Sequence, residues 1–212
     1  MKLFEGNGIY TYRTAAWILT HCLILWKECM NEVLLVGASQ AGDKAAFGSL
    51  INRYYKNIYR FAYQYTGNHH DADEVCQETF LRALNSIRKL KDGNCFKGWI
   101  FTIASNLLRK RIKESKRENT LGTKSPDGAA VELAEDKNTQ PFEMLSSKEK
   151  AMIIQRHLQE MPEHMRLVTI LVLMEGLTQK DAAGVLSCSE ASASRHLDAA
   201  RKWLRARLQN LV

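Results

Sequence analysis

Residues 176–208, GLTQKDAAGVLSCSEASASRHLDAARKWLRARL, decide the fold. They predict a short helix, a turn and a longer helix. Thr178 is an N-cap type residue, and Ala182, Ala183, Val185 and Leu186 follow on one face. Ser187-Cys188-Ser189 make the turn, and a second helix runs from Ser189 or Glu190 to about Leu208. Leu197, Ala200, Trp203 (or Leu204) and Leu208 give it an apolar stripe at helical spacing. Ser192, Ser194, Arg195, His196, Arg201, Arg205 and Arg207 lie largely off that stripe. A short helix crossing a longer basic one is how proteins place side chains in a DNA major groove. The plainer reading of the same residues is a helical hairpin with a solvated basic face.

Composition narrows the classes. The chain has 212 residues and a formal net charge of +7, which suggests a polyanionic partner once the charge is located. Its five cysteines (Cys22, Cys29, Cys76, Cys95, Cys188) form no C-x-x-C pair. That argues against a disulfide framework or a zinc module and for a reducing, cytoplasmic location. Three prolines and little strand-like alternation predict an all-α fold. Residues 14–26, TAAWILTHCLILW, form an apolar run shorter than the roughly 20 residues a spanning helix needs. Lys27-Glu28-Cys29-Met30 follows it, without the small-residue cleavage site of a signal peptide. We read residues 1–29 as an N-terminal extension, consistent with a start codon assigned too early. A membrane-surface anchor is the lesser alternative.

Two small helical domains joined by a flexible linker are expected: residues 30–117, a linker over 118–144, and a C-terminal domain over 145–212. In the first, a short helix over Val33 to Ala41 ends at Gly42, and Asp43 caps a helix running to Thr66. Phe47, Leu50, Ile51, Tyr54, Ile58, Phe61 and Tyr65 recur at three- and four-residue steps and mark its buried face. Gly67 stops it. Asp71 with Glu74 reads as a capping box opening the third helix. Val75, Thr79, Leu84 and Ile87 fall on its inner side, with Phe80 at the boundary. Asp73, Glu74, Gln77, Glu78 and Arg82 form its polar outer side.

After the loop 91–95, a fourth helix runs from Phe96 to about Lys116 and buries Trp99, Ile100, Ile103, Ala104 and Leu107. Arg109, Lys110, Arg111 and Lys113 make its second half basic. Residues 118–144 mix Gly, Pro, Asp, Asn and Thr with too little apolar surface for a core. The last domain then holds a helix ending at Met161-Pro162, another through Met165, Val168, Leu171, Val172 and Met174, and the helix-turn-helix.

Three blocks in this order resemble the bacterial extracytoplasmic-function (ECF) sigma factors. They are AFGSLINRYYKNIYRFAYQYTGNHHDADEVCQETFLRAL, FKGWIFTIASNLLRKRIKESKR, and MPEHMRLVTILVLMEGLTQKDAAGVLSCSEASASRHLDAARKWLRARL. The resemblance covers about residues 32–117 and 146–210, and DADEVCQETFLRA is its most specific element. It implies a promoter-specificity subunit that binds RNA polymerase core and is not an enzyme. The helix carrying Asp73, Glu74, Gln77, Glu78 and Arg82 would dock on the clamp coiled coil of the largest subunit. The first domain would read and open the −10 element through Lys91, Asn94, Lys97, Asn106, Arg109, Lys110 and Lys113. The helix-turn-helix would read the −35 element through Ser192, Ser194, Arg195 and His196, with Arg201 on phosphate. The resemblance also implies promoter DNA and an anti-sigma factor, often membrane-bound, as partners. No cofactor or small-molecule substrate is implied.

The helix-turn-helix departs from the usual family form. Ser187 stands where Gly is common, so that position must take φ > 0 at a small cost or shift its turn. Ala193 replaces a larger core residue, and the basic residue is displaced, which unsettles the register of −35 contacts. A one-component helix-turn-helix regulator is the alternative function, but its front domain would carry a ligand pocket or alternating strands. His69, His70, Asp71, Asp73 and Glu74 cluster attractively for a metal, yet neighbours at a helix start point apart and Asp71 reads better as a cap. No metal site is expected.

Overall fold

The computed structural model describes residues 31–120 and 146–208. The expected N-terminal extension lies outside the described residues, as does the expected linker beyond Thr120. Every described element is helical. Helix α1 occupies residues 31–40 and α2 spans Lys44–Thr66. As expected, the Asp43 carboxylate accepts from the amides of Ala45 (2.8 Å) and Ala46 (3.1 Å). Gly67 ends α2 in the left-handed conformation, φ 74°, which glycine adopts without a Cβ penalty. The face anticipated from three- and four-residue spacing is the buried one: Phe47, Leu50, Tyr54, Ile58, Phe61 and Tyr65.

Helix α3, His69–Ser86, begins earlier than expected. Asn68 is the cap, its side-chain oxygen accepting from the amides of His70 (2.8 Å) and Asp71 (3.3 Å). Asp71 therefore lies inside the first turn and is not the cap. The chain leaves Gly67 into extended backbone at Asn68 (φ −125°, ψ 130°), and the first polar side chain there reaches the free amides. The inner row is Ala72, Val75, Cys76, Thr79, Phe80 and Ala83. Leu84, expected inward, is 48% exposed, because it follows Ala83 by about 100° around the axis.

Two 3₁₀ turns, Ile87–Lys89 and Gly93–Cys95, lead to α4, Phe96–Thr120. This helix passes the expected end near Lys116; no Gly or Pro interrupts it before Gly122. Phe96, Ile100, Phe101, Ala104, Leu107 and Leu108 are buried, while Trp99 and Ile103 are half-buried against the core. Phe101 meets Phe61 edge-on, ring centroids 5.3 Å apart. Trp99 leans on Phe96 at 5.7 Å, so it serves packing rather than standing free to stack on a base.

The second half consists of α5 (Ser147–Glu160), α6 (Glu163–Thr169), a π-helical turn (Ile170–Met174), α7 (Gln179–Leu186) and α8 (Glu190–Leu208). Ser146 and Glu149 form a capping box on α5. Thr178 caps α7 by accepting from the Asp181 amide at 3.0 Å. Across α6 and the π turn Leu167, Val168, Ile170 and Leu171 are buried, whereas Met165, Val172 and Met174 are only half-buried. Of the two outcomes expected at Ser187, the structure shows the left-handed conformation, φ 54°. Ser187→Gly should therefore raise the unfolding free energy by about 0.5–1 kcal/mol in a urea titration, since Gly relieves the Cβ clash and loses some of that gain to unfolded-chain entropy. An unchanged or lower midpoint would contradict that reading of the turn.

The halves abut. Leu158, Met161, Ile170, Leu171, Ala182 and Val185 share one apolar cluster with Phe61, Phe101 and Leu108. The last turn of α2 leaves carbonyls without helical partners, and the second half supplies the donors. Gln155 and Gln159 donate to the Gln64 carbonyl at 3.3 and 3.0 Å, and Arg166 donates to the Tyr65 carbonyl at 3.0 Å.

Candidate functional site

Three surfaces hold the residues singled out in the sequence. The first is the outer ridge of α3. Gln77 and Arg82 are exposed, Glu78 is half-buried, and Arg82 Nε donates to Glu78 at 2.6 Å one turn away. Asp73 is half-buried and accepts a long 3.5 Å contact from the Tyr55 hydroxyl. Glu74 pairs with Arg111 of α4, which also reaches Asp71 at 3.4 Å. The Arg111 hydrogen bond, and then its charge, hold the Glu74 carboxyl below the ordinary range. Leu81, 58% exposed, lies on the same ridge.

Between this ridge and α4 runs an open groove of about 320 Å³, with Lys110, Arg111 and Glu114 on its far wall. The ridge is thus a mixed surface: an amide, a carboxylate and a guanidinium around an apolar residue. Gln77 presents its amide without a described intramolecular partner to displace, and Glu78 and Arg82 exchange one exposed ion pair of small intrinsic worth. Sequence reading missed Leu81 and Arg111. Leu81 had a signal, an apolar residue four after Gln77 on a polar face. Arg111 had none, standing 37 residues from its partner Glu74.

The structure does gather His70, Asp71 and Glu74, whose ligating atoms lie within 4.8 Å of one another. Arg111 pairs with both carboxylates and offsets one of their two charges. Asp73 and His69 turn elsewhere, toward Tyr55 and Tyr59.

The second surface is α4 with the turn before it. Lys91, Asn106, Lys110 and Lys113 are exposed, and Lys110 pairs weakly with Glu114 at 3.6 Å. The Asn94 side chain lies outside the described residues. Lys97 and Arg109 are half-buried and face the second half of the chain. Lys97 Nζ donates to the Glu175 carbonyl at 2.9 Å, and Arg109 donates to the Leu186 carbonyl at 3.2 Å.

The third surface is the start of α8. The Ser189 hydroxyl accepts from the Ser192 amide (3.2 Å), and Arg195 donates to the Ser192 hydroxyl (3.2 Å). Arg195 and Arg201 are exposed, and Arg201 is held by Asp198 at 3.4 Å. Ser194 is half-buried. Ala193 and Leu197 are buried, so the small residue at 193 is accommodated within the core. Farther along, Arg207 stacks on Trp203 at 3.6 Å and reaches Glu160, which fixes the distal end of α8 against α5.

His196 does not stand free: its ring packs 4.7 Å from that of His164 at the start of α6. Burial, then the charges of His164 and Arg195, lower its pKa from the ordinary 6.5. At neutral pH it offers a hydrogen bond rather than a charge. In an NMR titration the His196 ring should protonate below that value, and His164→Ala should move its midpoint upward. A midpoint at or above 6.5 in the unaltered protein would contradict the packing described.

The sequence pattern described as Sigma-70 region 2 matches residues 50–118, the span of α2 through α4. The ECF RNA polymerase sigma-E factor of Haemophilus influenzae is 26% identical over 189 residues, covering 87% of this chain and 99% of that protein. Among solved structures, CnrH in complex with the cytosolic domain of CnrY superposes with a TM-score of 0.64 at 20% identity, covering 85% of this chain and 98% of that one. The sigma factor RpoE in complex with the anti-sigma factor NepR from Bartonella quintana gives 0.59 at 21% identity, covering 78% and 95%. The two structures establish the shared helical fold.

Proposed function

We propose that the chain is a member of the ECF RNA polymerase sigma factors and that it binds RNA polymerase core and directs it to promoters through two separate DNA contacts. The observation that carries this reading is the α3 ridge. Gln77, Glu78, Leu81 and Arg82 face solvent or the open groove within the region matched by the Sigma-70 pattern. A rigid helix offering this mix pairs well with arginines and carboxylates of a partner helix. We assign this ridge to the clamp coiled coil of the largest polymerase subunit.

The −10 element falls to α4 and the turn before it. Opening DNA needs a pocket for an extruded base and a cationic track for the separated strand. Lys91, Asn94, Lys97, Asn106, Arg109, Lys110 and Lys113 are the residues assigned to it. The −35 element falls to the start of α8, with Ser192, Ser194, Arg195 and His196 at base edges and Arg201 on phosphate. Base contacts carry about 1–3 kcal/mol of discrimination each, while phosphate contacts set salt dependence. Residues 30–117 and 145–212 would be the two DNA-reading units, joined by 118–144, whose first three residues still belong to α4. An anti-sigma factor is a further partner by analogy with the RpoE–NepR complex. No helix among the described residues is long and apolar enough to cross a membrane, and the work proposed is cytoplasmic and non-catalytic.

Gel filtration with purified core tests this reading. The chain should co-elute with core, and upstream DNA should be bound specifically by that complex and not by the chain alone. Specific DNA binding without core, and no co-elution, would favour a helix-turn-helix regulator that acts alone.

A further inference from the structure

Helix α1 ends on a glutamine whose side chain leaves its own helix. Gln40 Nε2 donates to the Ile87 carbonyl at 3.0 Å and to the Leu90 carbonyl at 2.7 Å, oxygens 47 and 50 residues away. Those two carbonyls bracket the 3₁₀ turn Ile87–Lys89, which carries the chain from α3 into the loop before α4. The Ile87 carbonyl also takes the Leu90 amide at 3.0 Å, and Leu90 then runs extended (φ −72°, ψ 115°). One nitrogen thus commits both of its hydrogens to the point where the loop departs, a geometry open to a primary amide and closed to a carboxylate or a thioether. Gln40 is itself held still. Gly42, φ 102°, closes α1, with the Gly42 amide on the Ser39 carbonyl and the Asp43 amide on the Ala38 carbonyl, both at 3.0 Å. At the other end of α1 the Glu32 carboxylate is buried and accepts the Tyr54 hydroxyl at 2.5 Å. The Tyr54 ring lies 5.3 Å from that of Phe96, the first residue of α4. Between these anchors Val36 is buried, and a Cβ at Gly93 would stand 3.5 Å from Val33 and 3.6 Å from Val36. The loop carrying Lys91 and Asn94 therefore runs one methyl's width from α1, with one end gripped by Gln40 and the other packed on Tyr54.

We propose that Gln40 is a positioning residue for promoter reading: by bracing the Ile87 and Leu90 carbonyls it sets where the 91–95 loop presents itself to a −10 base. The link to DNA rests on the −10 assignment made above; the brace itself does not. Side chains on a loop select a base only if the backbone beneath them keeps one path, to within about 0.5 Å of the productive geometry. The Gln40 amide supplies that constraint at the loop's first bond. Without it the Leu90 carbonyl loses this donor, and the backbone shifts to find another.

The test uses the full chain with Gln40→Glu, which sets a carboxylate against both carbonyls, and Gln40→Met, which keeps the bulk and removes the donor. Amide hydrogen exchange followed by NMR reads the brace. Transcription with purified core reads the promoter, on fragments that the unaltered chain transcribes, carrying single substitutions in the −10 or the −35 box. Both variants should exchange the Leu90 amide about tenfold faster, with α2 and α8 as protected as before. Discrimination among −10 bases should fall about tenfold, or about 1.4 kcal/mol, while −35 discrimination and co-elution with core stay unchanged. Unchanged exchange at Leu90 would overturn the brace. Faster exchange with −10 discrimination intact would overturn the positioning role. So would −10 and −35 discrimination falling together, or protection lost along α2, either of which makes Gln40 part of the general fold. If the unaltered chain yields no core-dependent transcript, the promoter reading fails and the −10 role with it, while exchange at Leu90 still decides the brace.

Discussion

The double substitution Gln77→Ala, Glu78→Ala should weaken binding to RNA polymerase core by about a hundredfold while leaving helicity unchanged. Both residues sit on the outer ridge of α3, where neither fills the core. Hydrogen bonds to charged partners contribute about 1.5–3 kcal/mol each, so losing two at one interface costs about 3 kcal/mol, or two decades in Kd. Glu78 also exchanges its ion pair with Arg82, but an exposed pair of this kind adds at most about 1 kcal/mol to the fold. Fluorescence anisotropy of the labelled chain against purified core reads the affinity, and circular dichroism reads the fold. Full-strength binding by the double variant would remove the ridge from the interface. Lost helicity would give it a structural role instead.

Phe101→Ala should have the largest effect on stability, about 3–5 kcal/mol. Its ring is fully buried and meets Phe61 edge-on at 5.3 Å, in the cluster that joins both halves of the chain. The truncation removes apolar burial and an aromatic pair, and α4 cannot collapse into the gap without moving Ile100 and Ala104. Domains of this size are stable by about 5–15 kcal/mol, so the change takes a large share. A urea titration of the variant should show its midpoint shifted accordingly. A loss below about 1 kcal/mol would mean that the site is less tightly packed than described.

Much of this architecture was legible because short-range chemistry specified it. Asp43, Gly67 and Thr178 mark helix ends through the hydrogen-bonding and dihedral needs of helix termini, and each does so in the structure. The non-glycine at 187 left a choice between a left-handed residue and a shifted turn, and Ser187 takes the first, φ 54°. The inner face of α2 followed from spacing alone. The errors came where two local signals competed. Asp71-x-x-Glu74 is a sound capping pattern, but Asn68 stands earlier and is reached first as the chain leaves Gly67. Leu84 was a separate error of phase: it lies about 100° around the axis from the buried Ala83 and so faces solvent. Long-range pairing was not legible at all. Nothing near Glu175 announces Arg60, 115 residues away, or Arg111 as the partner of Glu74. The resemblance implied DNA contact for Lys97 and Arg109, and nothing in the sequence showed that both also donate to carbonyls of the other half.

The central claim is that this chain confers promoter choice on a polymerase that lacks it. Run-off transcription from a library of genomic fragments, using purified core with and without the chain, tests it most directly. The account predicts discrete transcripts that appear only when both are present, whose upstream regions share two short boxes at a fixed spacing. Transcripts indifferent to the chain, or none from any fragment, would contradict it.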